Sequence, residues 1–282
     1  MKKYKLVVLD IDGTTVKSNG QLSEYTINTI RRTVNEGVPV CLCTGRNLKN
    51  TKPILKKLKI KTPIICIDGA VMYDPVDKKI LREHFINMDI IKEITKIVDE
   101  FDVYMEFCTL NNYIKYLKYK GLEKYSYGGV PQNTLDATKF FLNGVRIVKD
   151  LEKIYNIKNN INQFLIGGKS EDIKKVMDIL KNKNYKNIIF RDDLWDNYIL
   201  IAHSEAIKSE GVNLLCQHYN IDIDETIAMG DQMNDIDMIK KVGFGIAMGN
   251  AHDKIKEVAK HITVSNDEDG VAKAIEEFVL KK

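Results

Sequence analysis

The stretch KLVVLDIDGTTV, residues 5–16, decides how the chain is read. Four consecutive apolar residues, Leu6 to Leu9, have the pattern of a buried strand. Asp10 and Asp12 follow two residues apart, although like charges that close repel and resist burial. Gly13 then lets the backbone turn sharply and approach a ligand. Two carboxylates at a strand end can act as nucleophile and general acid/base, or as ligands of a hard cation such as Mg2+ that relieves their repulsion. A strand that simply ends in a polar turn has the same sequence, so the stretch needs its surroundings.

Outward from it, the first seventy residues alternate strand and helix. SEYTINTIRRTVNEG reads as a helix capped by Ser23, with Glu24 at its start, Ile27, Ile30 and Val34 in a stripe, and Gly37 at its end. VPVCLC is a second strand, residues 47–58 a helix that Pro53 kinks or restarts, and PIICI a third strand. Asp68-Gly69 then makes a tight turn into VMYD. This is the βαβ pattern of a parallel sheet. The same style returns at the C-terminal end, with YILIAH, TIAMGD, FGIAMG and HITV as strands between helices. Residues 86–192 differ: strands VYMEFC, NQFLIGG and NIIF and a Ser170-capped helix surround a polar segment. The expected architecture is α/β, a Rossmann-like parallel sheet core over residues 1–85 and 193–282 with an inserted α+β domain at 86–192.

Composition narrows the classes. Hydrophobic residues make up 44% and charged residues 29% of the 282, ordinary for a globular protein. A net charge of +4 is too mild to argue for nucleic acid. The five cysteines, Cys41, Cys43, Cys66, Cys108 and Cys216, are odd in number and lack a C-x-x-C, which argues against disulfides and zinc and for a reducing compartment. The basic start is followed by too short an apolar run for a signal peptide, and no run approaches a membrane span. A cytoplasmic location and no membrane partner are expected. The five histidines show no metal-ligand spacing.

Three further signals lie at predicted strand ends. CLCTGR places Thr44 and Gly45 where a hydroxyl and free backbone N–H groups suit a phosphate, or where Thr44 simply caps a turn. AMGDQMNDIDMI places Asp231 at a strand end and Asn234 and Asp235 at a helix start, more acid than capping needs. Lys208 heads a helix, where the dipole disfavours a cation; a bound anion would explain it, and so would a solvated side chain.

In this order, DIDGT, TGR, Lys208 and GDQMND resemble the four motifs of the haloacid dehalogenase-like hydrolases, and GIAMGNA at 245–251 resembles their Cof-type branch with a large α/β cap (class IIB). The long interval between the third strand and Lys208 fits that cap, which in the family covers the active site and selects substrate. The resemblance implies a Mg2+-dependent phosphatase acting on a small phosphorylated metabolite, a sugar phosphate first, through an aspartyl-phosphate intermediate. It makes Asp10 the nucleophile and Asp12 the general acid/base. Mg2+ would be held by the Asp10 side chain, the Asp12 carbonyl and the Asp231 side chain. Thr44, Gly45 and Lys208, with the Ile11 backbone and Asn234, would hold the phosphoryl oxygens. Asp235 would orient Lys208 or support the metal, with Arg46 and Asn250 nearby. A phosphomutase on the same scaffold and a non-catalytic phospho-aspartate signalling module are the alternatives.

Two features stand outside that pattern. Where the Cof-type branch reads Asn-Gly-Ala after the third strand, this chain has Asp68-Gly69-Ala70. The turn is read as a hairpin in which Asp and Asn interchange; the other reading is an added negative charge at the rim of the site. The segment at 111–127 interleaves tyrosines with lysines and is read as a solvated edge whose tyrosines cover apolar surface, rather than as a base- or sugar-stacking face.

Overall fold

A computed structural model describes residues 4–118, 145–192 and 197–281. The chain divides into two compact units, residues 1–82 with 206–282, and residues 83–205. The first unit is built on a five-stranded parallel sheet. Its strands are β1 (Leu6–Leu9), β2 (Val40–Leu42), β12 (Thr226–Gly230), β13 (Phe244–Ala247) and β14 (His261–Ile262), in the order β14-β13-β12-β1-β2. β1 lies between β12 and β2, with Leu9 opposite Met229 on one side and Leu42 on the other. All four of its residues are buried, as a strand covered on both faces requires. Because the strands run parallel, the residues that follow β1, β2 and β12 emerge on one edge.

The helices fit the sequence with small changes. Helix α1 (Glu24–Asn35) is capped by the Ser23 hydroxyl, which accepts the Thr26 N–H at 3.0 Å. Its buried stripe is Ile27, Ile30 and Thr33, with Val34 only half-buried. Thr33 is tolerated inside because its hydroxyl donates to the Thr29 carbonyl at 2.9 Å. Helix α2 (Leu48–Leu58) runs through Pro53 without restarting; the proline lies on its exposed face and Asn47 caps its start. The third strand, β3 (Ile64–Cys66), pairs antiparallel with β4 (Val71–Asp74), and β5 (Lys79–Glu83) completes a three-stranded sheet. A parallel bridge from Cys43 to Ile65 and the Thr44 N–H to the Ile65 carbonyl, 2.9 Å, join β3 to the end of β2.

The second unit is a six-stranded sheet in the order β10-β11-β9-β6-β7-β8. These are β6 (Val103–Thr109), β7 (Tyr113–Tyr116), β8 (Val145–Val148), β9 (Ile161–Gly168), β10 (Ile188–Arg191) and β11 (Tyr198–His203). Pairing is antiparallel except between β7 and β8. Helices α3 (Met88–Val98) and α5 (Ser170–Lys181) bury Ile91, Ile94, Val98, Ile173, Val176 and Leu180 in one cluster with the sheet, and the short α4 (Glu152–Tyr155) adds Ile154. The strand period is visible in β6: Val103, Met105 and Phe107 join that cluster, whereas Tyr104 packs on the other side with Leu117 and Tyr198.

Two expectations change here. YILIAH, read as the strand that reopens the core, is β11 and pairs with β9 and β10, so the first unit resumes at Ala206 rather than at residue 193. An apolar run of six does not reveal which sheet it joins. Ser170 is the first residue of α5 rather than its cap; its hydroxyl hydrogen-bonds Asn197.

The tyrosine- and lysine-rich segment is described as far as Lys118. Lys115 is buried, 3.0 Å from Glu106 and 5.4 Å over the Tyr104 ring, and the Tyr116 hydroxyl donates to Asp99 at 2.7 Å. These side chains are satisfied within the unit. Tyr119, Lys120, Lys124, Tyr125 and Tyr127 lie outside the described residues.

Leu9 is fully buried at the strand end that carries Asp10. Leu9→Ala is expected to destabilise the first unit by about 2–5 kcal/mol, read as a lowered urea midpoint at an unchanged far-UV spectrum.

Candidate active site

Two of the parallel strand ends deliver the first acidic groups. Asp10 follows β1, with its N–H bonded to the Met229 carbonyl at 3.0 Å, and Asp231 follows β12. The chain then makes a tight loop over Ile11–Thr15, closed by the Val16 N–H on the Ile11 carbonyl at 3.0 Å. Gly13 has φ +75°, and a Cβ there would fall 2.2 Å from Asp231 Oδ2, so only glycine lets the loop pass. Thr14 Oγ1 donates to Asp231 Oδ1 at 2.9 Å, and Gln232 Nε2 donates to Asp231 Oδ2 at 3.1 Å.

Lys208 is the first residue of helix α6 (Lys208–Tyr219), and its side chain is fully buried. Its ammonium donates to Asp10 Oδ1 at 2.7 Å and to Asp235 Oδ1 at 2.6 Å. The anions that account for a lysine at a helix start are the protein's own. Asp235 spends its other oxygen on the N–H groups of Asp231, 3.0 Å, and Gln232, 3.1 Å. It therefore locks the turn after β12 and aims Lys208 at Asp10.

The pocket holds more negative charge than Lys208 can match. The Asp10 carboxyl is pushed well above the usual range by burial, against the pull of Lys208 and with the repulsion of Asp235, Asp231 and Asp12 added. Burial, and then Asp235, push Asp231 up to about 7. Lys208 is held above its ordinary value: its burial opposes the charge, but Asp10 and Asp235 more than offset that, with smaller help from Cys43 and Asp68.

Oxygens of Asp10, Asp231 and Asp235 lie within 4.8 Å of one another. An all-oxygen, surplus-anion set of this kind fits a hard divalent cation. Asp235 is committed to Lys208 and to two backbone N–H groups, whereas Asp231 is held only by the Thr14 and Gln232 side chains, which can turn aside, so Asp10 and Asp231 are the side chains that would ligate one. A second group, His84, His203 and Glu205, also gathers ligand atoms within 4.8 Å, though the histidine spacing gave no sign of it. There His203 Nδ1 accepts the Glu205 N–H at 3.2 Å, which leaves the neutral ring protonated at Nε2, the reverse of what an Nε2 ligand needs.

The remaining expected residues divide. Arg46 forms a two-pronged pair with Asp12, through Nε at 2.6 Å and through Nη2, so both oxygens of Asp12 are held. Thr44 Oγ1 accepts the Arg46 N–H at 3.1 Å, which fixes the turn after β2. Asn250 supports the first loop: its amide donates to the Gly13 carbonyl at 2.8 Å and its oxygen accepts the Asn266 N–H. Asn234 donates its amide to Asp68 at 2.8 Å.

Asp68 takes part in more than its turn. It does sit in the turn from β3 to β4, but its buried carboxylate lies on Gly45, where an added Cβ would be 3.1 Å from Oδ1. The hairpin turn is as expected; the contacts of its carboxylate with Gly45 and Asn234 go beyond that reading, and the departure from Asn-Gly-Ala was their signal. Thr14 and Gln232, which position Asp231, were also missed; Thr14 follows the acidic pair directly and Gln232 follows Asp231 itself.

The chain matches the model of the haloacid dehalogenase-like hydrolases over residues 7–275. It is 29% identical over 280 residues to a 5-amino-6-(5-phospho-D-ribitylamino)uracil phosphatase of Bacillus subtilis, covering 98% of each chain. A haloacid dehalogenase-like hydrolase from Bacteroides thetaiotaomicron superposes with a TM-score of 0.80 at 25% identity, over 97% of this chain and 99% of that one. The subclass IIB sugar phosphatase BT4131 shares the fold, with a TM-score of 0.78 at 22% identity over 97% and 98% of the two chains. The chain belongs to the haloacid dehalogenase-like hydrolases, as a phosphatase of that family, with Asp10, Thr44 and Asp231 following its parallel strands and Lys208 at the head of α6.

Proposed function

We propose that the protein is a Mg2+-dependent phosphatase of a small phosphorylated metabolite, with the phosphate carried on a sugar or sugar-like polyhydroxyl chain. The observation that carries this is the Asp10–Lys208–Asp235 bridge beside Asp231. In this reading the Asp10 carboxylate attacks phosphorus, the P–O bond to the alcohol breaks, and an aspartyl-phosphate forms. Asp12 gives the leaving oxygen a proton and takes one back from the water that hydrolyses the intermediate, for which its pairing with Arg46 must give way. Thr44, Gly45, Lys208, Asn234 and the Ile11 backbone hold the phosphoryl oxygens. Asp10 and Asp231 side chains and the Asp12 carbonyl would hold Mg2+, and the ion, when bound, shields the carboxylate from the phosphate it meets. Asp235 and Arg46 serve as orienting groups, and Asn250 secures the loop.

The Bacillus relative acts on a phosphate carried by a ribityl chain, and BT4131 is a sugar phosphatase. A polyhydroxyl phosphate is the chemistry the two share. Residues 86–192, the expected substrate-selecting cap, are proposed to choose among such chains. We place the enzyme in the cytoplasm, in keeping with five buried cysteines that form no disulfide among the described residues, where no helix is long and apolar enough to cross a membrane.

Asp10→Asn is expected to lower phosphate release from p-nitrophenyl phosphate and from a sugar-phosphate panel by a thousandfold or more, on the order of the loss of a nucleophile; retained turnover removes Asp10 from that role. Net release of phosphate, rather than interconversion of isomers, separates the phosphatase from the mutase. The raised Asp231 value fixes a pH dependence. Its folded pKa of about 7 lies above the unfolded 3.8, so the folded state binds the extra proton between them. The stability that Asp231 contributes to the metal-free protein should fall as pH rises through that window and be lost above about 7. Mg2+ competes with the same proton, so its affinity, read by calorimetry, should fall as pH drops below about 7.

A further inference from the structure

Three consecutive residues, Ile67, Asp68 and Gly69, have positive φ, at 52°, 50° and 102°. For Gly69 this is easy, but a β-branched isoleucine in the left-handed region is an outlier, and here its side chain is completely buried. Strain of this kind persists where surrounding structure fixes it and gathers at functional sites. The turn is pinned from several sides. The N–H groups of Ile67 and Asp68 bond the Arg46 and Thr44 carbonyls, each at 3.1 Å. Arg82 Nη2 donates to the Gly69 carbonyl at 2.9 Å, and a Cβ on Gly69 would fall 2.2 Å from the carbonyl oxygen of Ile207, next to Lys208.

The strained turn delivers one thing to the site, the Asp68 carboxylate. It rests on Gly45 and takes the Asn234 amide at 2.8 Å, and its charge is felt at Lys208. Thr44, Gly45, Lys208 and Asn234 form the phosphate seat under the proposed function, so this carboxylate stands where an incoming oxyanion finds its donors. We propose that Asp68 is a specificity residue of the phosphate seat, a built-in anion that shares the Asn234 amide and keeps the affinity for inorganic phosphate low, so that product leaves readily.

The inference rests on the seat assigned above, and two variants separate the failures. Asp68→Asn removes the charge while keeping the shape: its amide oxygen still accepts from Asn234, and asparagine tolerates the left-handed region. Should that variant fold poorly, Asp68→Gly keeps the backbone without the carboxylate. Binding of inorganic phosphate is measured by calorimetry in Mg2+ buffer, together with its Ki against p-nitrophenyl phosphate. Removing one contact-range charge should tighten phosphate binding about tenfold or more and lower Ki in step. Unchanged or weaker phosphate binding by either folded variant overturns the role of Asp68. Thr44→Val is the control on the seat. If it weakens phosphate binding while Asp68→Asn fails to strengthen it, the seat stands and the inference falls; if it changes nothing, the seat itself falls and the inference with it.

Discussion

One buried ammonium holds the chemistry of the first unit together. Lys208 Nζ lies 2.7 Å from Asp10 and 2.6 Å from Asp235, with no exposed side-chain surface. Each ion has left water at considerable cost, and breaking such a pair from one side leaves an uncompensated buried charge, worth about 3–5 kcal/mol. The lysine joins elements distant in sequence: the end of β1, the turn after β12 and the start of α6. It also leaves a deficit. Asp10, Asp231 and Asp235 are buried carboxylates around a single ammonium, and the raised values of Asp10 and Asp231 are the electrostatic expression of that imbalance. A divalent cation is the natural counterweight to three anions and one cation.

The turn at 67–69 answers a different constraint. Its backbone is bonded to Thr44 and Arg46 on one side and pressed on Ile207 at the head of α6 on the other. Relaxing Ile67 into an ordinary conformation would draw the turn away from both. The strain therefore belongs to the join between the β2 end and the Lys208 helix, and the side chain that this join carries into the pocket is Asp68.

Much of this was legible in the sequence because strand ends have a local signature. An apolar run followed by Asp10, Thr44 or Asp231 marks its own end, and parallel pairing then brings the three together. The Ser23 cap of α1 and the two-residue alternation of β6 are equally local. What escaped is non-local. Tyr198–His203 has the composition of a core strand, and only its pairing partners assign it to the other sheet. Thr33 replaces Val34 in the α1 stripe because a hydroxyl that bonds its own helix buries as well as a methyl. Asp68 looked like a turn residue because it is one; that its carboxylate reaches Gly45 and Asn234 depends on where two other segments of the chain lie.

The two carboxylates of the opening stretch resolve their repulsion by taking different partners. Asp10 is buried and shares a lysine, whose tetrahedral donor head serves two carboxylates from different strand ends, something a planar fork does poorly. Asp12 has a side chain 43% exposed and takes the fork of Arg46 on both oxygens. Paired acids that do different work are told apart by environment. The buried member is fixed in place by Lys208, as the attacking group of the proposed function would have to be. Under the proposed function the exposed member is held by a partner that it would have to leave in order to move protons to an outgoing alcohol and from an incoming water. Gly13 completes the separation: by letting the loop turn against Asp231, it sends the two side chains out of a single strand end into two different surroundings.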